Sequence, residues 1–544
     1  MNTPLSTVLA YHQRTKHHFQ RYAAGPQGLD WASQPDPFRT FVGSTPLELP
    51  LLDPRPQPRY TDLYLPGEIT PQALTLHSIA ALLELSFGIS AWKQYGSARW
   101  ALRCNPSSGN LHPTEAYVVV ADCHGIADGV HHYVSRDHLL EHRCRLATAT
   151  EGGYPLLPPA TFLVGLTSIH WREAWKYGER AFRYCQHDVG HAIASVRYAA
   201  AMLGWQAQLL TAWGDSKIGA ILGANREQDF GKAEREHPDL MLKITAEPND
   251  AAAAEFTPDA LINAARRGHW QGQANVLTEH HLHQWPVIDE VAVACAKPLT
   301  REANCQASAL PEPIASACQH SAIDIIKQRR SAQAFDGVTS ISAAVLYRML
   351  DMTLPRAGTA PWDAIAWQPR IHLLLFVHRV GGLTPGLYLF LRNDHIKTIM
   401  HAELSTEFEW TPIAGCPDHF VFFQLESGDV QNAARALSCH QEIASDGAFS
   451  LSMLAEYKTS LVQGPWVYRQ LFWEAGILGQ VLYLEAEAAG VRGTGIGCYF
   501  DDGVHEMLGI KNQTLQSMYH FTLGGAVTDT RLQTLPAYAH LIRD

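Results

Sequence analysis

The stretch NPSSGNLHPTEAYVVV, from Asn105 to Val120, places two serines, a glycine and amide side chains directly ahead of a β-branched run. Such residues make either an ordinary turn into a strand or a loop that lays backbone and amide groups against a flat polar ligand. An asparagine side chain presents one donor and one acceptor to an amide-like edge, and small neighbours let backbone N–H groups come close. A second stretch, SAIDIIKQRRSAQAF from Ser321, reads as a short amphipathic helix capped by Ser321 and Asp324 and closed by Arg329, Arg330 and Ser331. A third, RGTGIG from Arg492 to Gly497, has the letters of a dinucleotide fingerprint without its context. It follows a helix instead of a strand and opens no helix, so a Rossmann reading fails. The histidines of EHHLHQW (His280, His281, His283) alternate faces and have no second ligand cluster at a metal-site spacing, so no metal is expected.

Composition bounds what these motifs can serve. With 544 residues the chain exceeds one hydrophobic core, and two or more domains are the expectation. A net charge of −11 argues against nucleic acid, whose phosphates demand a basic face. The opening MNTPLSTVLAYHQRTKHHF lacks the apolar core of a signal peptide, and no apolar run is long enough for a membrane span. Ten scattered cysteines without a Cys-x-x-Cys pair suit reduced thiols in a cytoplasm.

The chain also contains itself twice. FRYCQHDVGHAIASVRYAAAMLGWQAQLL from Phe182 aligns without gaps on YRQLFWEAGILGQVLYLEAEAAGVRGTGI from Tyr468. Arg183 meets Arg469, Asp188 meets Glu474, Gly190 meets Gly476 and Gly204 meets Gly490, each 286 positions apart. The same offset carries Asp215 to Asp501 and Leu222-Gly223 to Leu508-Gly509. Each copy predicts a long helix ending at glycine, a loop and a short helix. A weaker match sets GVHHYVSRDHLLE from Gly129 beside GLYLFLRNDHIKT from Gly386, and HPTEAYVVV beside QPRIHLLLF. The expectation is two copies of one α+β domain, over 1–250 and 319–544, joined by a connector over 251–318. Two copies in one chain mimic a two-fold dimer, whose interface can host sites built from both halves.

These motifs and their order resemble the nitroreductase superfamily, and specifically its SagB/ThcOx-type dehydrogenase branch. The opening of the second copy resembles the part that holds the phosphate and ribityl chain of FMN, here Arg329, Arg330 and Ser331, with Gln333 where Lys or Arg is frequent. Pro106, Ser107, Ser108 and Asn110 fall in the flavin-contacting loop, Gly495, Ile496 and Gly497 near flavin N5, and Arg531 of GGAVTDTRLQTLPAY on the phosphate. YHQRTKHHF, LDWASQPDPFR, WKYGERAFRY, SCHQEIASDGAFSL and GIGCYFDDGVHEMLGI extend the likeness along most of the chain. The resemblance implies a mixed, mainly antiparallel sheet flanked by helices in each domain and an intramolecular pseudo-dimer. A phosphate dianion held by two guanidiniums gains charge-assisted bonds of about 1.5–3 kcal/mol each.

The copies differ in complementary ways. Asp363, Ala364 and Ala366 stand opposite Ser107, Ser108 and Asn110, so the second copy's loop has lost its polar readers. Gln208 to Thr211 stand opposite Thr494 to Gly497, the first copy's LMLKITAEPND has no counterpart of Arg531, and its opening, read as QRTKHHF, keeps only Arg14, Thr15 and Lys16. One composite flavin site is therefore expected. In azoline dehydrogenases a Lys-Tyr pair is thought to act as base and partner while a thiazoline or oxazoline is oxidised; AWKYGER supplies Lys176 and Tyr177, and the second copy has Val462 and Gln463 instead. The leading expectation is an FMN-dependent dehydrogenase of a small-molecule or modified-peptide substrate. The alternatives are an NAD(P)H-dependent nitro, quinone or enone reductase, and a flavin- or peptide-binding module without turnover. A monomer acting as pseudo-dimer, or a higher oligomer, fits each of these.

Overall fold

A computed structural model describes residues 3–52, 58–147, 156–247, 258–303 and 309–541. Helix α1 (Pro4–Arg14) starts where the Thr3 side chain accepts the Ser6 N–H, with proline in the first turn. Then come α2 (Leu76–Phe87) and a hairpin of β1 (Ile89–Tyr95) and β2 (Ala98–Arg103). The first large sheet uses β3 (Thr114–Val120), β4 (Gly129–Val134), β5 (Leu139–Arg145) and β6 (Thr161–Ser168). After α3 (His170–Tyr177) and α4 (Ala181–Met202) it continues with β7 (Gln206–Leu209), α5 (Asp215–Leu222) and β8 (His237–Thr245). Helix α6 (Pro258–Arg267), β9 (His269–Trp270) and α7 (Pro286–Ala294) lie in the stretch read from sequence as connector, and β9 pairs with β5 at the sheet edge. Parts of that stretch, 251–257 and 304–308, fall outside the described residues.

The second half repeats the plan. It runs α8 (Ala322–Gln328), α9 (Ala343–Met352), β10 (Ile371–Val377), β11 (Gly386–Leu391), β12 (Val421–Ser427) and β13 (Phe449–Glu456). Then follow α10 (Val467–Ala488), β14 (Arg492–Ile496), α11 (Asp501–Leu508), β15 (Leu515–Gly524) and β16 (Gln533–Leu535). The first sheet is ordered β9-β5-β4-β3-β6-β8-β7, with Thr45–Glu48 added against β5; the second is ordered β12-β11-β10-β13-β15-β14, with Thr411–Pro412 outside β12. From β5 and β12 inward the two orders correspond strand for strand. Every pairing in both large sheets is antiparallel, and the one parallel pair among the described strands joins Ile341–Ser342 to Val380–Gly381. The central strands β3 and β10 are buried at every residue, as their largely apolar runs require, with Glu115 and His372 among the buried exceptions. No helix among the described residues is long and apolar enough to cross a membrane.

The 286-residue offset is visible in three dimensions. Helices α4 and α10 have the same length and cross where Gly190 meets Gly476. A Cβ on Gly190 would sit 2.2 Å from the Trp473 carbonyl oxygen, and one on Gly476 2.2 Å from that of His187, so backbones touch here and only glycine fits. Arg183 pairs with Asp501 at 2.6 Å, and Arg469 pairs with Asp215 at 2.8 Å, a reciprocal exchange characteristic of a two-fold relation. Every residue of α4 is buried, so its charged groups can persist only in such pairs.

One correspondence drawn from sequence is corrected. The segment facing α8 is Pro58–Tyr64, not QRTKHHF: Tyr60 N–H donates to His320 O at 3.0 Å, and Ala322 N–H donates to Pro58 O at 2.9 Å. Thr15 and Lys16 instead pack near the start of α11, where Lys16 pairs with Asp502 at 2.5 Å and the Thr15 hydroxyl accepts from Arg183. Arg14 pairs with Glu179. Nothing in its letters marks Pro58–Tyr64 as an anion-holding opening, since the residues after Tyr64 are Leu65-Pro66-Gly67-Glu68, without a cation.

Candidate functional site

Beneath the β1–β2 hairpin lies a cavity of about 450 Å³ lined from both halves. The first half gives Lys93, Arg103 and the loop Asn105–Asn110, with Asp188 and His191 from α4. The second half gives Arg329 to Gln333 after α8, Tyr483 on α10, Arg492, Thr494 and Gly495 on β14, and Tyr519 on β15. The chain end crosses back to close this region: β16 pairs with β1, and the buried Tyr538 hydroxyl accepts from Ile89 N–H at 2.9 Å while donating to Ser135 O.

One end of the cavity is cationic. Arg329 is buried, donating through Nε and Nη2 to the Cys104 and Arg103 carbonyls at 3.0 Å, while its Nη1 has no partner. Arg330 donates to the Lys327 and Arg329 carbonyls, and Ser331 shares a 2.8 Å hydrogen bond with Tyr483. Burial and then the neighbouring Arg329 push the Arg330 guanidinium down to about 10, and burial with Arg330 nearby lowers Lys93. Positive groups crowded and partly stripped of water, one of them with an unused donor, make a seat for an anion.

The sequence-predicted residues divide in three. Pro106, Ser107, Ser108, Asn110, Arg329, Arg330, Ser331, Gln333 and Gly495 line this one cavity. Ile496 turns into the second core beside Leu437 and Val504, and Gly497 offers its carbonyl to Arg180. Arg531 is exposed and pairs with Asp529 at 2.7 Å; Asp529 and Leu532 line the cavity, and Arg531 does not. Asn110 has both ends of its amide engaged, Nδ2 on Ala101 O at 2.9 Å and Oδ1 with His112 Nε2 at 3.0 Å. The room beside Gly495 and Gly497 is taken by tyrosines: a Cβ on Gly495 would fall 1.9 Å from the Tyr519 hydroxyl, and one on Gly497 2.1 Å from the Tyr184 ring.

Lys176 and Tyr177 stand behind the loop at the end of α3. A Cβ on Gly109 would lie 2.6 Å from the Tyr177 hydroxyl and 3.1 Å from Lys176 Nζ. Gly109 has φ +60°, so glycine serves both the turn and this contact. Burial, followed by Glu173, raises the Tyr177 hydroxyl well above its usual range, so it stays protonated.

Sequence reading missed the carboxyl pair beneath them. Glu173 and Asp188 are buried; Asp188 Oδ1 accepts the Ser108 N–H at 3.3 Å, and its Oδ2 is without a partner. Burial, then the neighbouring Asp188, pushes Glu173 up, and burial pushes Asp188 up. A carboxyl raised in the folded state binds a proton that the unfolded chain has released, so stability falls as pH climbs from about 4 through the raised value. Asp188→Asn keeps the acceptor for Ser108 and removes that loss. Urea unfolding should show the variant more stable than wild type at pH 9, by on the order of 1–3 kcal/mol, with the gap closing at pH 4. A gap unchanged with pH would mean that Asp188 is ionised in the folded protein.

The position related to this cavity in the other half is differently furnished. Arg197, 286 residues before Tyr483, pairs bidentately with Asp363 at 2.7 and 2.8 Å, and the buried Trp362 fills the loop beside it. Glu474, the counterpart of Asp188, accepts the Arg370 and Ile371 N–H groups and the Arg392 guanidinium. The carboxylate gained at 363 thus has a structural partner.

Residues 70–231 match the model of the Nitroreductase family. The chain is 27% identical over 157 residues to the nitroreductase-type protein MJ1384 of Methanocaldococcus jannaschii, covering 27% of this chain and 74% of that protein. It is 32% identical over 145 residues to the trifolitoxin-processing protein TfxB of Rhizobium leguminosarum bv. trifolii, covering 25% of this chain but only 39% of TfxB. A crystal structure of a nitroreductase-type protein from Anabaena variabilis has the same fold, with a TM-score of 0.68 at 20% identity over 96% of this chain and 99% of that one. Residues 70–231 are therefore similar to the Nitroreductase family, within a chain that shares its fold with the A. variabilis protein along nearly its whole length.

Proposed function

We propose that this chain is an FMN-dependent oxidoreductase with one composite flavin site between its halves, acting as an azoline dehydrogenase on a small-molecule or modified-peptide substrate. The observation that carries the reading is the unpartnered, buried Nη1 of Arg329 at the cationic end of a cavity built from both halves. That donor set fits a phosphate monoester: Arg329 and Arg330, with Lys93 across the cavity, would hold the phosphate, and the 105–110 loop would flank the ring system. Bound there, FMN supplies two-electron redox chemistry.

The chain's own groups then divide the remaining work. In this reading Lys176 Nζ, beside Gly109, holds a proton taken from substrate carbon, and Tyr177 donates a hydrogen bond to the substrate's ring heteroatom. The β1–β2 hairpin, fixed by β16 and Tyr538, limits access of water. A modified peptide as substrate is supported by the likeness to TfxB, a toxin-processing protein.

The Arg197–Asp363 pair in place of polar loop residues at the counterpart position predicts close to one FMN per chain. Denaturing the purified protein and measuring released flavin by absorbance against chain concentration tests this. A ratio near two would refute the single site, and release of FAD would undermine the phosphate assignment.

A further inference from the structure

Six of the nine described cysteines are buried; Cys416, Cys439 and Cys498 are partly exposed. Cys439 and Cys498 are far apart in sequence, yet their thiols are in hydrogen-bonding contact. The loop that brings them together is conformationally costly: Cys439 and His440 are consecutive non-glycine residues with φ of 53° and 59°. Fixed bonds hold it there. Gln441 Nε2 donates to Ser438 O at 2.8 Å and to Cys498 O at 3.0 Å, and Phe500 N–H donates to Leu437 O at 2.8 Å. Both backbones are therefore tied together beside the two thiols.

We propose that Cys439 and Cys498 are a redox-active dithiol, a site of reversible disulfide formation for which a hydroperoxide is the oxidant. The pair is chemically unequal. The hydrogen bond from Cys439 lowers the Cys498 thiol, which burial alone would raise, and the Arg180 guanidinium, bonded to Gly497 O at 3.2 Å, adds to the lowering. Donating that bond raises Cys439. Cys498 is thus the attacking thiol and Cys439 the resolving one. The Cys498 thiolate attacks one peroxide oxygen; the O–O bond breaks, the alkoxide or hydroxide released takes up the thiol proton, and a sulfenic acid remains. Cys439 Sγ then attacks the Cys498 sulfur; the S–O bond breaks, the S–S bond forms and water leaves with the Cys439 proton. Two thiols lose two electrons in total, and the peroxide is reduced to an alcohol (or water) and water. The new bond ties the 437–441 loop to the end of β14, next to the Tyr184 ring that packs on Tyr177.

The reduced full-length protein, treated with equimolar hydrogen peroxide, alkylated under denaturing conditions and mapped without reductant, tests this. The expected result is the loss of two alkylatable thiols and a Cys439–Cys498 linked peptide that dithiothreitol reverses, with Cys416 reacting about tenfold more slowly than Cys498. Cys439→Ser should yield a trappable sulfenic acid at Cys498, and Cys498→Ser no linked peptide. Cys439 and Cys498 both remaining alkylatable in the wild type, or a linkage to another cysteine instead, would overturn the proposal whatever the variants do.

Discussion

Lys176→Ala is expected to slow azoline oxidation by about 10²–10⁴-fold while flavin content stays at the wild-type level. The size follows from the work proposed for the side chain: a positioned base acts in the transition state, and its removal leaves ground-state contacts intact. Geometry makes the expectation specific. Nζ lies against Gly109 of the cavity loop, and Lys176 is not among the residues that line the cavity's anion seat. Flavin retention is therefore a real control. Oxidation of a thiazoline and reduction of a quinone by NAD(P)H should be measured side by side in both proteins. Loss of the first with the second retained supports the dehydrogenase. Retention of both assigns Lys176 a structural role and makes an NAD(P)H-dependent reductase the better account, and absence of flavin turnover in the wild type points to a binding module.

Much of the fold was legible because it is written twice. The repeat needed no knowledge of packing: Gly190 and Gly476, Arg183 and Arg469, and Asp215 and Asp501 fall at one offset, and the structure gives each pair reciprocal partners. What sequence could not supply was the path of the chain between repeats. From sequence the first copy's opening reads as QRTKHHF, and only the bonds of Tyr60 and Ala322 identify Pro58–Tyr64 as the partner of α8. The cavity was legible as loop letters but not as neighbours. Lys93 sits on a strand without any motif, and its position beside Arg330 depends on β1 pairing with a strand from the other end of the chain. Glycines could be recognised as sites of close approach, yet nothing in RGTGIG tells that Tyr519 and Tyr184 make that approach. Glu173 and Asp188 show the same limit, since a carboxyl's burial is a property of the residues that enclose it.

Arg329→Met should weaken FMN binding by about 10–150-fold, corresponding to roughly 1.5–3 kcal/mol for a lost charge-assisted contact. Arg531→Met, by contrast, should cost no more than a few-fold, as expected for an exposed arginine whose interaction with Asp529 is open to solvent. The asymmetry rests on desolvation: the Arg329 guanidinium is buried with one nitrogen unused, so a bound phosphate recovers what burial costs, whereas Arg531 gives up hydration to bind. Titrating apoprotein with FMN and following flavin fluorescence yields both affinities. Riboflavin, which lacks the phosphate, separates a contact from a general loss of shape, because Arg329→Met also removes the donors to Cys104 O and Arg103 O. If riboflavin weakens as much as FMN, Arg329 is holding the loop and not the phosphate. If Arg531→Met costs as much as Arg329→Met for FMN alone, the segment around Asp529 and Leu532 must close over the occupied cavity and carry the arginine onto the phosphate.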